Sequence, residues 1–286
     1  MTEWSDPRDR RALAWLVVVA AAYTLAFVVV YLVSVRTERG RLVSDASLRG
    51  AIASSPAVRD TVDAVLNVVS VGSLFGAVAV VAVIALVRLD RVRGLAAIAV
   101  LCSANVTTYL LKEHLLSRPD LGLDEVAPAT LNSLPSGHAT AAFSAVAALL
   151  LVLPTGWRTP AALLGGGYVT ATALATLFAG WHRAADSVAA FLVVGFCAVT
   201  ASGVLLVLGR HRPAAPATGS LRWGVAGSLG ALALGITVAV GLSAIGVVRD
   251  TLLGSLLALV AAGLVIVGTM LGVLVGILRS AQISDR

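Results

Sequence analysis

An all-α, polytopic membrane bundle is the fold class this sequence predicts, and three observations carry that prediction. Of its 286 residues 58% are hydrophobic and 13% charged, and the mean hydropathy is +0.95. Soluble domains carry about 25% charged residues. Apolar runs recur along the chain, each of about 20 residues, enough to span roughly 30 Å of hydrocarbon. The arginines gather at the ends of these runs, where they set orientation and meet lipid head groups. The net charge of +6 is therefore no argument for nucleic acid, and none is expected as a partner.

Eight spans are expected, at 12–35, 64–87, 94–111, 138–153, 161–180, 186–208, 223–247 and 252–278. Arg8, Arg10 and Arg11 precede the first run in the manner of a secretory signal. That run exceeds the roughly 7–15 apolar residues of a signal core, so it reads as an anchoring helix. The segment 36–63 spaces Leu42, Leu48, Ile52 and Val58 among charges. It fits either a short helix on the membrane surface or a solvated connector. The segment 211–222, HRPAAPATGSLR, reads as a cytoplasmic linker. It divides a six-span core (1–210) from a C-terminal pair of spans with its tail (223–286), and the pair looks like an appendage.

With the N-terminus inside, twelve of the 21 basic residues fall on cytoplasmic segments, the sign expected for N-in, C-in. Heavy Ala, Val, Leu, Gly and Arg usage suggests a bacterial source, and hence the cytoplasmic membrane. Cys102 and Cys197 lie inside apolar runs without paired spacing and read as small packing residues. Trp157, Trp181 and Trp223 at span ends fit an interfacial belt. Lys112 is the only lysine in the chain.

Three polar clusters interrupt this apolar pattern. The first, LLKEHLLSRPDLG, follows span three and holds Lys112, Glu113, His114, Ser117, Arg118 and Asp120; the second, NSLPSGHAT, opens span four with Asn132, Ser133, Ser136, Gly137, His138 and Thr140. The third, FAGWHRAAD, lies between spans five and six and holds Trp181, His182, Arg183 and Asp186. Spans four and five form a hairpin, so all three clusters emerge on one membrane face. Ionisable residues in such places are costly and are functional candidates.

The residue types point to phosphoryl transfer. Lys112 and Arg118 are cations suited to phosphate oxygens. Ser136 and Gly137 stand at a helix start, where free N–H groups and the helix dipole favour an anion. His182 and Asp186 are four residues apart and share a face if helical. Asp186 then accepts from Nδ1–H and leaves Nε2 for an electrophile. His182 is the candidate nucleophile and His138 the candidate acid for the leaving alkoxide. Glu113 and His114 read as surface residues, Asn132 and Thr140 as supporting residues. No carboxylate set for a metal is present, so neither a metal nor another cofactor is expected.

These motifs resemble the type 2 phosphatidic acid phosphatases (PAP2, the lipid phosphate phosphatases), which share a catalytic core with vanadium haloperoxidases. Pro135-Ser136-Gly137-His138 fits the family pattern in full, and His182 with three residues before Asp186 fits the end of its third motif. Lys112 and Arg118-Pro119 fit the first motif, with five intervening residues where the family usually has six. The resemblance spans roughly residues 12–208. It implies a membrane phosphatase acting on a lipid-linked phosphate, with the site on the outer face. One position departs: the family's Ser-Arg pair falls on Ala175 and Thr176. Arg183 is a candidate to supply the missing charge; contact with lipid head groups is its other reading. The departure leaves open an alternative, a catalytically impaired scaffold that binds or transports a lipid phosphate. The lipid and the oligomeric state are not legible in the sequence.

Overall fold

The computed structural model describes residues 7–54, 58–68, 71–87, 90–123, 132–208, 220–245 and 251–284, and every regular element among them is helical. The α-helices in chain order are α1 (Pro7–Arg36), α2 (Glu38–Ser54), α3 (Arg59–Val68), α4 (Val71–Val87), α5 (Arg91–Leu110), α6 (Gly137–Val152), α7 (Thr155–Phe178), α8 (Ala184–Val207), α9 (Ser220–Ala244) and α10 (Leu252–Ile283). A π-helical turn, Leu111–Leu115, prolongs α5.

Six of these helices are long and apolar enough to cross a membrane: α1, α5 with its π turn, α7, α8, α9 and α10. The chain is thus a multi-pass membrane protein in the sense its composition implies. The other two expected spans correspond to the apolar but shorter α4 and α6. At 1.5 Å per residue the 16 residues of α6 rise about 24 Å, less than the roughly 30 Å of hydrocarbon.

Local chemistry sets several helix starts. The Asp90 carboxylate accepts from the Arg93 backbone N–H (3.2 Å) ahead of α5, Ser136 Oγ from Ala139 N–H (3.3 Å) ahead of α6, and Thr251 Oγ1 from Gly254 N–H (3.1 Å) ahead of α10. Each satisfies a donor that a helix leaves without an intrahelical partner. The buried centre is α8. Ala189, Ala190, Ala198, Ser202 and Gly203 are among its buried residues, and such small side chains let neighbouring helices approach closely. One apolar core joins α8 to α5, α6, α7 and α10.

Three expectations change. The span expected at 64–87 is two helices, α3 and α4. Arg59–Val68 alternates charged and apolar residues, and its Val62 and Leu66 pack against Ala175 near the end of α7, so α3 is a bracing helix. The segment 36–63 is neither a surface-lying helix nor a connector throughout. It contains α2, whose Arg41, Asp45, Ala46, Ser47, Leu48, Gly50 and Ala51 are buried. Gly50 faces α10 so closely that a Cβ there would strike the backbone of Ser255. The third change concerns the C-terminal pair. Ile266, Met270, Val273, Leu274, Ile277 and Ala281 of α10 belong to the main core, and Arg93 at the start of α5 donates to the carbonyl of Ser284. α10 is part of the body and no appendage. The expected linker lies outside the described residues, except that 220–222 begin α9.

Candidate active site

The turn between α7 and α8 is built from its backbone outward. The carbonyl of Thr176 accepts from the N–H groups of both Trp181 (3.0 Å) and His182 (3.2 Å), and that of Leu177 accepts from Gly180 (3.0 Å). Gly180 has φ +74°, a left-handed conformation that costs glycine little and other residues more. This reversal brings Trp181, His182 and Arg183 back toward the start of α6.

At that start, the Ser136 N–H donates to the carbonyl of Asp186 (2.9 Å). The Pro-Ser-Gly-His segment and the start of α8 are therefore tied backbone to backbone. The side chain of Asp186 completes the tie. Its Oδ2 accepts from Ser133 Oγ (2.6 Å) and the Arg183 backbone N–H (2.9 Å), and it lies 3.2 Å from His182 Nδ1. Asp186 and His182 are both buried. With Nδ1 turned to the carboxylate, Nε2 is the ring nitrogen left for the cavity.

That cavity, of about 550 Å³, is lined by Lys112, Glu113, Asn132, Ser133, His138, Trp181 and His182. The His138 and His182 rings are 6.4 Å apart between centroids, and Trp181 lies 5.5 Å from His138. Residues from all three polar clusters thus meet, as the hairpin argument requires. Lys112 stands on the π turn, where the wider winding leaves carbonyls to satisfy. Asn132 Nδ2 donates to two of them, Lys112 (2.9 Å) and Leu116 (3.0 Å). Asn132 holds the first cluster against the second.

The remaining expected residues take other places. Ser136 is fully buried and caps α6 with its side chain, while Gly137 is exposed, with open space where a Cβ would stand. Arg118 is half-buried on the extended stretch after the π turn and is not among the cavity-lining residues. That stretch is anchored by Tyr31, whose hydroxyl donates to the Ser117 carbonyl (2.8 Å), and by Arg41, which donates to the Pro119 carbonyl.

Arg183 corrects an expectation. Its Nε and Nη2 both donate to Asp45 Oδ1, at 2.9 and 2.6 Å, and both side chains are buried. The guanidinium is committed to α2 and does not line the cavity, so it neither supplies the charge absent at 176 nor reaches lipid head groups. At 176 itself, the threonine is fully buried and its hydroxyl donates to the Ala173 carbonyl (2.9 Å).

Three lining residues carry roles that sequence reasoning missed. Glu113, expected on the surface, is exposed and also faces the cavity; Ser133 holds Asp186; and Trp181, expected as a belt residue, adjoins His138. Adjacency to the Pro-Ser-Gly-His and His-Arg motifs was the available signal for Ser133 and Trp181. Asp45 had none, being one acid among several in a charged segment. Among the described residues no three His, Cys, Asp or Glu side chains gather to hold a metal ion.

No curated protein and no solved structure matches the chain. The family model of the PAP2 superfamily matches residues 93–207, a shorter reach than the 12–208 of the expected resemblance, but one that includes Lys112, Pro135 to His138, and His182 to Asp186. All three polar clusters lie inside that match and around one cavity, so residues 93–207 are similar to the PAP2 superfamily, a phosphatase-type family.

Proposed function

We propose that the chain is a metal-independent membrane phosphatase that hydrolyses a lipid-linked phosphate through a phosphohistidine on His182. The observation that carries this reading is the His182–Asp186 pair beside His138 and Lys112 on one cavity. Asp186 holds the Nδ1–H tautomer, so the Nε2 lone pair attacks phosphorus. As the N–P bond forms, the P–O bond to the lipid breaks, and protonated His138 gives its proton to the departing alkoxide. A water then attacks the phosphorus of the phosphohistidine while His138 takes the water's proton. The N–P bond breaks and phosphate leaves. Lys112 and the open backbone at Gly137 offer positive charge and N–H groups to the equatorial oxygens, whose stabilisation is the main task in such transfers.

The apolar setting of the cavity supports a lipid-linked substrate class. The cavity's lining residues stand at the ends of apolar helices, and α6 is shorter than a full span. Both features suit a phosphate carried on a hydrocarbon anchor, a polyprenyl or glycerolipid phosphate. The arginine distribution favours the outer face of a bacterial cytoplasmic membrane. The test is phosphate release by the purified protein from a panel of lipid phosphates in the presence of EDTA, with acid-labile labelling of His182. Release abolished by His182→Ala supports the reading; no release from the panel by the wild-type protein overturns it.

A second reading rests on the arginine missing at position 176 and the withdrawal of Arg183 to Asp45. With fewer cations at the cavity, the scaffold would bind a lipid phosphate without turning it over. Intact lipid-phosphate binding without phosphate release would favour it.

A further inference from the structure

Arg183 stands at the N-cap of α8 in extended backbone (φ −84°, ψ 161°), a position where Ser, Thr, Asp or Asn is preferred. A cation there also opposes the helix dipole, whose N-terminal end is positive. Asp45 meets that charge. It is buried on α2 and accepts twice through Oδ1. Its other oxygen, Oδ2, is buried without a hydrogen-bond partner among the described residues. A buried carboxylate so incompletely satisfied is costly, and the guanidinium is what holds it in place. The same Arg183 places its backbone N–H on Asp186 Oδ2, the oxygen that faces His182 Nδ1. One residue thus bridges the ion pair and the catalytic pair.

Asp45 lies outside the 93–207 match, and so does the helix that holds it. α10 packs along α2 where Gly50 leaves room for the backbone of Ser255. The route runs from α10 to α2, from Asp45 to the Arg183 side chain, and from the Arg183 backbone to Asp186 and His182.

We propose that Asp45 is a positioning residue for the reaction, by which α2, braced by α10, completes the catalytic turn from outside the family domain. This rests on the phosphatase reading above. Asp45 touches no reacting atom and acts by fixing where Arg183 puts its N–H. Asp45→Asn keeps the acceptor oxygen and loses the charge. It is expected to lower kcat by about 10²-fold, the scale of a small misplacement at a reacting group, with KM changed less than about threefold. Gly50→Leu, which forces α2 off α10, moves kcat in the same direction.

The decisive variant is the double substitution Asp45→Leu/Arg183→Met. Replacing both members of a buried ion pair with apolar side chains tends to preserve or raise stability. The expected result is a thermal midpoint at least equal to that of the wild type, with kcat still depressed. The ¹⁵N imidazole spectrum of His182 in the full-length protein provides a readout independent of turnover. Its hydrogen-bonded Nδ1–H signature is expected to weaken in Asp45→Asn and in the double variant. A double variant with restored stability, full kcat and an unchanged His182 signature would overturn the proposal and leave the pair a structural tie. If the wild-type protein releases no phosphate, the phosphatase reading fails. An Asp45-dependent His182 signature would then still establish the positioning link, and an indifferent one would refute it.

Discussion

Two histidines face one cavity and are held in opposite ways. His182 is buried, its Nδ1 directed at a carboxylate that also takes a serine hydroxyl and a backbone N–H. His138 is half-buried at the first turn of α6, with the rings of Trp181 and His182 for neighbours. A nucleophile needs one tautomer and one direction, which an anchored ring supplies. An acid that gives and then retrieves a proton needs access to the leaving group and to water. The difference in support matches the difference in the roles proposed for the two rings.

The largest effect is expected at His182. His182→Ala should reduce phosphate release by about 10⁴-fold or more for every substrate, since it removes the proposed nucleophile. Asp186→Asn comes next, because the amide can present its N–H₂ to Nδ1 and favour the wrong tautomer. A loss of about 10²–10⁴ in kcat, with a smaller change in KM, is expected from steady-state kinetics.

His138→Ala sharpens the contrast. With a lipid alkoxide as leaving group it should cost about 10²–10⁴-fold, yet with an aryl phosphate, whose phenolate needs no proton, most of the first-step rate should return. Burst kinetics then show phosphohistidine accumulating. If His182→Ala were rescued in the same way, the two roles would have to be exchanged.

Lys112→Ala should weaken charge-assisted contact with phosphate, lowering kcat/KM by about 10- to 100-fold, the equivalent of roughly 1.5–3 kcal/mol. The smallest effect belongs to Ser133→Ala, which removes one of the donors to Asp186 Oδ2. A hydrogen bond to a carboxylate contributes about 1.5–3 kcal/mol. Asp186 still keeps the Arg183 N–H and His182 as partners, so a fall in kcat of up to about tenfold, with His182 still anchored, is expected.

Much of the site was legible because its motifs are local. Pro135 to His138 and His182 to Asp186 are contiguous stretches, and the helical hairpin between them places both at one end of the bundle whatever its packing. Lys112 was legible as the only lysine of the chain. Six of the eight expected spans were legible for the same kind of reason, since a run long enough to cross hydrocarbon needs no partner to identify it. α3 and α2 were harder. Their mixed sequences fit water, lipid or protein equally well, and only the partners across from Val62, Leu66 and Gly50 choose among these.

Arg183 marks the boundary between the two kinds of information. The sequence by itself determined the multi-pass helical class, the convergence of three polar clusters, and the candidate His-Asp pair. It also determined that position 176 holds no arginine. The His-Asp pair closes across the N-cap of α8, which begins at Ala184, and not along a helix as its four-residue spacing suggests. Only the tertiary structure decided where Arg183 points, because its partner Asp45 lies 138 residues away along the chain and reaches it through the packing of α2 against α10. A guanidinium on a flexible stem goes to the buried charge that can pair with it, and which carboxylate is buried nearby is a property of the whole fold.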